Sequence, residues 1–452
     1  MNARDFIYVL NLGREVSEGF SWVLYAPLHN DLMSLSLEGA KVVESILAMD
    51  DLLNVDTAEL TPEQKVALEH FKANGWLTIP EKWRTRLSLN RSPKSKSTCS
   101  LGNPCNLRCI YCSASSGNDN EVMSLELAKV IVDRTVMDAL KNKNKCFEIK
   151  FHGGGEVFVV YTLMQQVVAY VQSQATKYNL HPHLRAVSNV TLITPEVACW
   201  LKENDVYITA SLDGTEEVQN KQRPKADGTG SFAAAYKGLQ ALKEAGVEFE
   251  IRATVTKDSV SKMAELVRFA AEELFTAKGG KVHFEPLSIC GRAAENALPS
   301  IDSNEFLKNY RKAYLLGKEL GIDVVCSFDG FNRPRANHCG TSDCSMFCIT
   351  PDGHVTACSR ITKETDFGSE TFFYGEFDSN KGFILDSSAM KVVCEQSALP
   401  TEECSTCYAR WTCQGHCPVA RFTDGAEYVS SACSMVKSLL LTRILEQLER
   451  RK

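Results

Sequence analysis

No apolar run in this chain of 452 residues is long enough to cross a bilayer. The apolar stretch nearest the start, F-I-Y-V-L at 6–10, follows Asp5 and leads to no small-residue cleavage site, so a secretory signal is not expected either. Blocks of one charge are missing too: the net charge is -6, and the nearest approach to a basic cluster is R-S-P-K-S-K at 91–96. These absences point to a cytoplasmic protein with no membrane and no nucleic acid among its partners. Hydrophobic residues make up 44%, enough for sizeable cores in two or three domains. Cysteine is what the chain has in excess. Eighteen of them in a long chain without secretory features argue for metal, because disulfide scaffolds are short and secreted.

The cysteines are placed unevenly, and their skew gives the expected boundaries. Four lie at 99–112, Cys146, Cys199 and Cys290 are scattered, and eleven crowd into 326–433. The divisions are a small module at 1–90, a middle domain at 91–325 and a cysteine-rich domain at 326–452. Cys105, Cys109 and Cys112 stand in C-N-L-R-C-I-Y-C. Three thiolates at this spacing can hold three corners of a 4Fe-4S cube and leave one iron open; zinc or chance are the alternatives.

The middle domain alternates strand-like and helix-like segments. Strands are expected before the motif and at 147–152, 184–188, 206–211, 247–255 and 281–286; helices at 123–140, 161–178, 195–203, 232–245, 260–275 and 304–320. Six β/α units with helices of that length imply parallel strands, hence an α/β fold built as a partial (β/α)6 TIM-type barrel with its chemistry at the C-terminal strand ends. F-H-G-G-G-E at 151–156, V-S-N-V-T at 187–191, S-L-D-G at 211–214 and I-R-A-T-V-T at 251–256 all fall at such ends. Glycines there let a backbone approach a ligand closely, though a triple glycine alone also reads as a plain β-to-α turn.

The C-x3-C-x2-C loop with Tyr111 before its last cysteine resembles the signature of the radical SAM superfamily. That resemblance implies a 4Fe-4S cluster on Cys105, Cys109 and Cys112, bound S-adenosylmethionine, and a 5'-deoxyadenosyl radical as the working species. It implies that Gly154, Gly155 and Glu156 receive the methionyl amine, although the V-F-V-V that follows departs from the usual proline-containing continuation. Ser188 and Asn189 fall at a further contact segment, where Val190 replaces the glycine many relatives carry. Ser211 and Asp213 are candidates for the ribose hydroxyls, with a cap or turn as the plain explanation. Arg252 is the candidate for the methionyl carboxylate, and Arg223 in Q-R-P is its rival.

Downstream the order is Cys339-x4-Cys344-x13-Cys358, then Cys404-x2-Cys407-x5-Cys413-x3-Cys417-x15-Cys433. Eight thiolates are two sets of four, for two Fe-S cubes or two zinc ions. The arrangement resembles the SPASM extension of radical SAM enzymes. It implies that Cys339, Cys344, Cys358 and Cys417 hold one auxiliary 4Fe-4S cluster and that Cys404, Cys407, Cys413 and Cys433 hold the other. Cys348 and Cys394 read as spare thiols or substitute ligands, and Cys99 as core.

Ahead of the barrel, F-I-Y-V-L-N-L and F-S-W-V-L-Y-A-P-L read as a hairpin, followed by helices at 37–49 and 61–74, the second opened by the capping box T-P-E-Q. Trp76–Ile79 is expected as a closing strand and 80–96 as an exposed connector. This small α+β module resembles the recognition module by which ribosomal peptide maturases take a leader as an added strand; an extension that merely packs on the barrel is the alternative. The expected function is that of a radical SAM/SPASM maturase acting on a precursor peptide with a leader and fed by an external electron donor such as flavodoxin or ferredoxin. Thioether or carbon-carbon crosslinking is the expected outcome. Sulfatase maturation is the nearest competitor, set back by Ser359, which stands where those maturases carry an Asp. A zinc-stabilised binding protein with a degenerate barrel is the distant one.

Overall fold

Alternating burial on short strands dictates the first unit. In the computed structural model, which describes residues 5–13, 20–49, 51–83, 95–275, 279–331, 333–399 and 401–450, β1 (Tyr8–Asn11), β2 (Trp22–Ala26) and β3 (Asp31–Leu35) form an antiparallel sheet in that order. The expected hairpin is β1 on β2, with Tyr8 opposite Tyr25; its turn at 14–19 lies outside the described residues. The third strand is β3, not Trp76–Ile79. Trp76 is buried and its ring lies 6.0 Å from that of Phe71, so the segment turns back onto the preceding helix instead of joining the sheet. That helix, Pro62–Ala73, opens on a capping box: Gln64 N–H donates to Thr61 Oγ1 at 3.3 Å and Thr61 N–H to Gln64 Oε1 at 3.0 Å. Of the connector at 80–96, residues 84–94 lie outside the described residues.

From Lys96 onward, β4 (Lys96–Cys99), β5 (Cys146–Phe151), β6 (His181–Ser188), β7 (Val206–Ser211), β8 (Phe249–Val255) and β9 (Lys281–Pro286) pair in sequence, all parallel. One face of each strand packs on the connecting helices. On β5, Phe147, Ile149 and Phe151 are buried, against helices such as Leu125–Lys141, whose buried Leu127, Ala128, Ile131, Val132 and Thr135 recur at helical spacing. The segment expected as one helix at 260–275 runs through a 3-10 turn, an α-helix at Met263–Phe269 and a π-turn at Ala270–Leu274.

The sheet does not stop at six strands. β10 (Asp323–Cys326) adds in parallel beyond β9 and runs across the boundary expected at 325. On the opposite side, β11 (Phe347–Ile349) pairs in parallel with β4, and β12 (His354–Thr356), β13 (Phe373–Asp378) and β14 (Gly382–Leu385) follow antiparallel. One eleven-stranded sheet therefore carries both the barrel and the first part of the cysteine-rich region. The N-terminal unit is tied to the far end of the chain. Arg410 Nη1 donates to Asp5 Oδ1 at 2.6 Å, Trp411 Nε1 to the Asp5 carbonyl at 2.6 Å, and the Phe6 and Trp411 rings stack at 6.4 Å. No helix among the described residues is long and apolar enough to cross a membrane.

Candidate functional site

The loop that leaves β4 carries Cys105, Cys109 and Cys112, and the turn after β5 is zipped onto it. Gly155 N–H donates to Gly102 O at 2.7 Å, Glu156 N–H to Pro104 O at 2.8 Å, and Ser100 Oγ to Gly153 O at 2.8 Å. A Cβ at Gly155 would lie 1.9 Å from Pro104 O, and one at Gly154, whose φ is +69°, 2.7 Å from Gly102 O. Only glycine allows this approach of two backbones, which is what the G-G-G run supplies. Two arginines fasten the rest of the loop. Arg108 donates to Cys105 O, Leu107 O and Gly117 O, and Arg292 to Cys109 O at 3.0 Å and Ser116 O at 2.8 Å.

Donors point at the sulfurs as well as the backbone. Leu107 N–H lies 3.5 Å from Cys105 Sγ, Ser116 N–H 3.5 Å from Cys112 Sγ, and Arg223 Nη1 3.9 Å from Cys109 Sγ. Burial pushes the Cys105 thiol up to about 11 and Cys109 to about 12. These thiols are protonated near neutral pH, and a metal group would take them as thiolates with release of protons. Three sulfurs on one loop, met by N–H groups and a guanidinium, form a donor set suited to an anionic iron-sulfur group.

Asp213, at the end of β7, is a hub. Its buried carboxylate accepts from Arg223 Nη2 at 3.1 Å, from Gln222 Nε2 at 2.8 Å, from Thr254 N–H at 2.9 Å and from the Tyr111 hydroxyl, and it pairs in charge with the same guanidinium, 3.0 Å from Nε. Burial would favour a neutral Arg223, but Asp213 outweighs it and the guanidinium stays charged, 5.3 Å from the Tyr111 ring. Asp213 therefore orients Tyr111 and Arg223 beside Cys109; its oxygens are occupied by the chain.

Glu156 is used in the same way. Ser188 Oγ donates to its Oε1 at 2.8 Å and Asn189 N–H to its Oε2 at 2.7 Å, with Phe158 N–H at 3.2 Å. Burial raises its pKa, opposed by those three donors. Ser188 and Asn189 are thus brought to Glu156, and Asn189 Nδ2 reaches on to Asn106 Oδ1 in the cysteine loop at 2.9 Å. Val190 holds a φ of +57° with its side chain fully buried, a left-handed position unfavourable to a β-branched residue. Ser211 is buried and level with Arg252 on β8. Arg252 lies on the barrel's inner face, 3.4 Å from Glu285.

In the C-terminal region, Cys404, Cys407, Cys413 and Cys433 line a common cavity with Arg410, His416 and Lys437. His416, at a φ of +69°, brings Nε2 to 3.3 Å from Cys433 Sγ, and burial lowers its pKa to about 4. Cys339, Cys358 and Cys417 lie close enough for burial and one another's charge to raise Cys339 and Cys358. The thiol of Cys344 is turned to Cys394, with 3.9 Å between the sulfurs. Cys348 and Cys99 are buried neighbours in the sheet, each thiol pushed up to about 12. Among the described residues no three Cys, His, Asp or Glu side chains are gathered tightly enough for one metal ion.

Several positioning residues escaped the sequence reading. Arg108 and Arg292 are signalled only by their pairing with loop carbonyls. Arg360 stands two residues after Cys358, and its buried guanidinium donates to Cys290 Sγ at 2.8 Å and Ser288 Oγ at 2.9 Å. His416, inside C-Q-G-H-C, was visible as a metal-ligating residue type between two candidate ligands.

The chain is similar to known proteins in sequence and in fold. The sequence profile of the Radical SAM superfamily matches residues 99–270. The chain is 28% identical to the cysteine-type anaerobic sulfatase-maturating enzyme of Clostridium novyi over 310 residues, 64% of this chain and 81% of that one. It is 28% identical to the mycofactocin maturase MftC of Mycolicibacterium smegmatis over 343 residues, 73% and 79% of the two chains. The crystal structure of Streptococcus suis SuiB bound to its precursor peptide SuiA shares the fold with a TM-score of 0.51 at 14% identity, over 91% of this chain and 94% of that one.

Proposed function

We propose, for a chain that is a radical SAM enzyme of the peptide- and protein-modifying maturases, that the substrate is a ribosomally made precursor peptide in which a thioether or carbon-carbon crosslink is formed. Cys105, Cys109 and Cys112 would hold the cluster, which with S-adenosylmethionine would supply radical chemistry able to take hydrogen from an unactivated C–H bond. The chain's own residues then have defined tasks. The glycine turn at 153–155 offers close backbone to the methionyl end, Ser211 stands at the ribose side, and Arg223, fixed by Asp213, holds positive charge beside Cys109. The barrel walls keep water and stray hydrogen donors from the reacting carbon. Cys339, Cys344, Cys358 and Cys417, and Cys404, Cys407, Cys413 and Cys433, are assigned as the ligands that would hold two auxiliary clusters, groups whose chemistry would be to accept an electron. A flavodoxin or ferredoxin is the proposed donor.

One observation carries the peptide reading: the order β1-β2-β3 leaves two outer edges with no strand paired to them among the described residues. An incoming leader can add there as a further strand, its affinity supplied by backbone pairing. That sheet is anchored through Asp5 to Arg410 on the wall of the second cysteine cavity, which supports a module working with the site. The test is deletion of residues 1–79. Leader-dependent binding should disappear, while S-adenosylmethionine cleavage without peptide persists, since every cluster and cofactor candidate lies after Thr98. Unchanged peptide modification by the truncated chain overturns the recognition role.

Formylglycine formation on a protein Cys or Ser is the second reading, favoured by the identity to the Clostridium novyi enzyme. Ser359 in place of the acidic residue weighs against it. Oxidation of a sulfatase-derived Cys peptide by the intact enzyme would install it instead.

A further inference from the structure

The inner face of the barrel carries more positive charge than it neutralises. On β5 the alternation buries Phe147, Ile149 and Phe151 against the helices, which turns Glu148 and Lys150 to the interior, Lys150 level with Thr98 on β4 and Arg185 on β6. Every carboxylate on this face already has a cation. Lys96 lies 2.5 Å from Glu148; Lys281 lies 2.5 Å from Glu250, with Arg185 at 3.9 Å from the same group; Arg252 lies 3.4 Å from Glu285, which also meets His283 at 3.0 Å and Ser327. Lys150 is left over. Among the described residues it has neither an ion pair nor a hydrogen bond.

Its surroundings make that omission informative. Burial, and then the charges of Lys96, Arg252 and Arg185, lower the Lys150 pKa to about 8, with Cys348 opposing them. His152, two residues on, is kept neutral by burial and by Lys150 and Arg252. A half-buried ammonium without an anion is costly to keep, and a chain built only for stability would replace it with an apolar residue. The face is open rather than sealed, since Arg252 keeps 43% of its side-chain exposure.

We propose that this face receives a carboxylate of the substrate, which pairs with Lys150 between Arg252 and His152. This rests on the reading that a peptide enters the barrel, and it narrows the substrate to one presenting an acidic group near the carbon to be modified. An Asp or Glu side chain and a free C-terminus offer the same chemistry, so the test separates them.

The probes are three short peptides offered to the full-length, anaerobically reconstituted protein saturated with S-adenosylmethionine: acetyl-Gly-Gly-Asp-Gly-Gly-amide, its Asn counterpart, and acetyl-pentaglycine with a free carboxylate. Dissociation constants are measured by saturation-transfer NMR. One carboxylate peptide should bind about tenfold tighter than the Asn peptide, and Lys150→Gln should abolish that preference. Preference for the Asp peptide assigns a side chain; preference for the free acid assigns a terminus. Equal affinities, no binding of either acid, or a Lys150→Gln protein that loses affinity for S-adenosylmethionine instead would overturn the proposal. A second measurement needs no peptide. Lys150→Met should raise the melting temperature by removing an uncompensated charge, and a fall would show that Lys150 is already paired. A chain that keeps the charge preference yet modifies no peptide would lose the maturase function and retain this site.

Discussion

Gly155→Ala should disable the first cysteine loop and leave the rest of the protein folded. The added Cβ would sit 1.9 Å from Pro104 O and 2.6 Å from both the carbonyl carbon and the oxygen of Asn103. All three are backbone atoms of the loop that carries Cys105, so no rotamer change relieves the clash, and the loop must retreat by more than an ångström. Retreat breaks the 2.7 Å bond from Gly155 N–H to Gly102 O and the 2.8 Å bond from Glu156 N–H to Pro104 O. Overpacking costs roughly 1–3 kcal/mol and each lost bond about 1 kcal/mol, a total on the order of 3–5 kcal/mol. The strain falls on the thiols' own loop, so it should appear as lost iron before it appears as unfolding. The assay is anaerobic reconstitution with iron and sulfide counting: about twelve irons in the parent and about eight in the variant, together with loss of reductive S-adenosylmethionine cleavage. Gly39→Ala is the control, since that glycine has no left-handed backbone and its Cβ would meet no atom closer than 3.4 Å. A Gly155→Ala protein with full iron and normal cleavage would refute the placement of the glycine turn under the cysteine loop.

Ala at Cys105, Cys109 or Cys112 should each abolish 5'-deoxyadenosine formation while about eight irons remain in the C-terminal region; persistence of the product in any of them would end the assignment. Asp213→Asn leaves Arg223 charged and buried without its anion, which should destabilise the protein by roughly 3–5 kcal/mol, read as a lower melting temperature, with partial recovery when Arg223→Met is added. Glu285 gives the expected pH dependence. Burial alone would raise its pKa, but the His283 hydrogen bond and Arg252 hold it at about 2 in the folded chain, below the ordinary value of 4.5. Its contribution to stability is therefore complete above about 4.5 and lost as pH falls toward 2. Acid unfolding of Glu285→Gln should be flatter than that of the parent across this window, and superimposable curves would refute the linkage.

The parallel strands were legible because each is a short apolar run between helices of clear period, and β7 and β9 fall where the sequence places them. β10 was missed because D-V-V-C is too short to stand out, and β3 because D-L-M-S-L reads as an approach to the helix after it. At the site, spacing identifies cysteines and glycines, whose chemistry is local. It does not reveal partners. Asp213 and Thr254 are 41 residues apart, and Asp213 and Tyr111 are 102 apart, so the use of Asp213 as a hub could not be read from S-L-D-G. Glu156 is similar: the motif suggested a ligand contact, and the fold spends both its oxygens on Ser188 and Asn189.

The tie between Asp5 and Arg410 also sets a schedule for making the protein. These residues are 405 apart in sequence, and a ribosome adding about 5–20 residues per second delivers the second roughly 20–80 s after the first. The N-terminal sheet can close on its own neighbours within that time, but Phe6 has no Trp411 to stack against. Until then the newborn chain holds an aromatic side chain uncovered at the root of β1. A chaperone that grips short apolar segments has its opening there, and a chain cut short before residue 410 keeps that segment exposed for good.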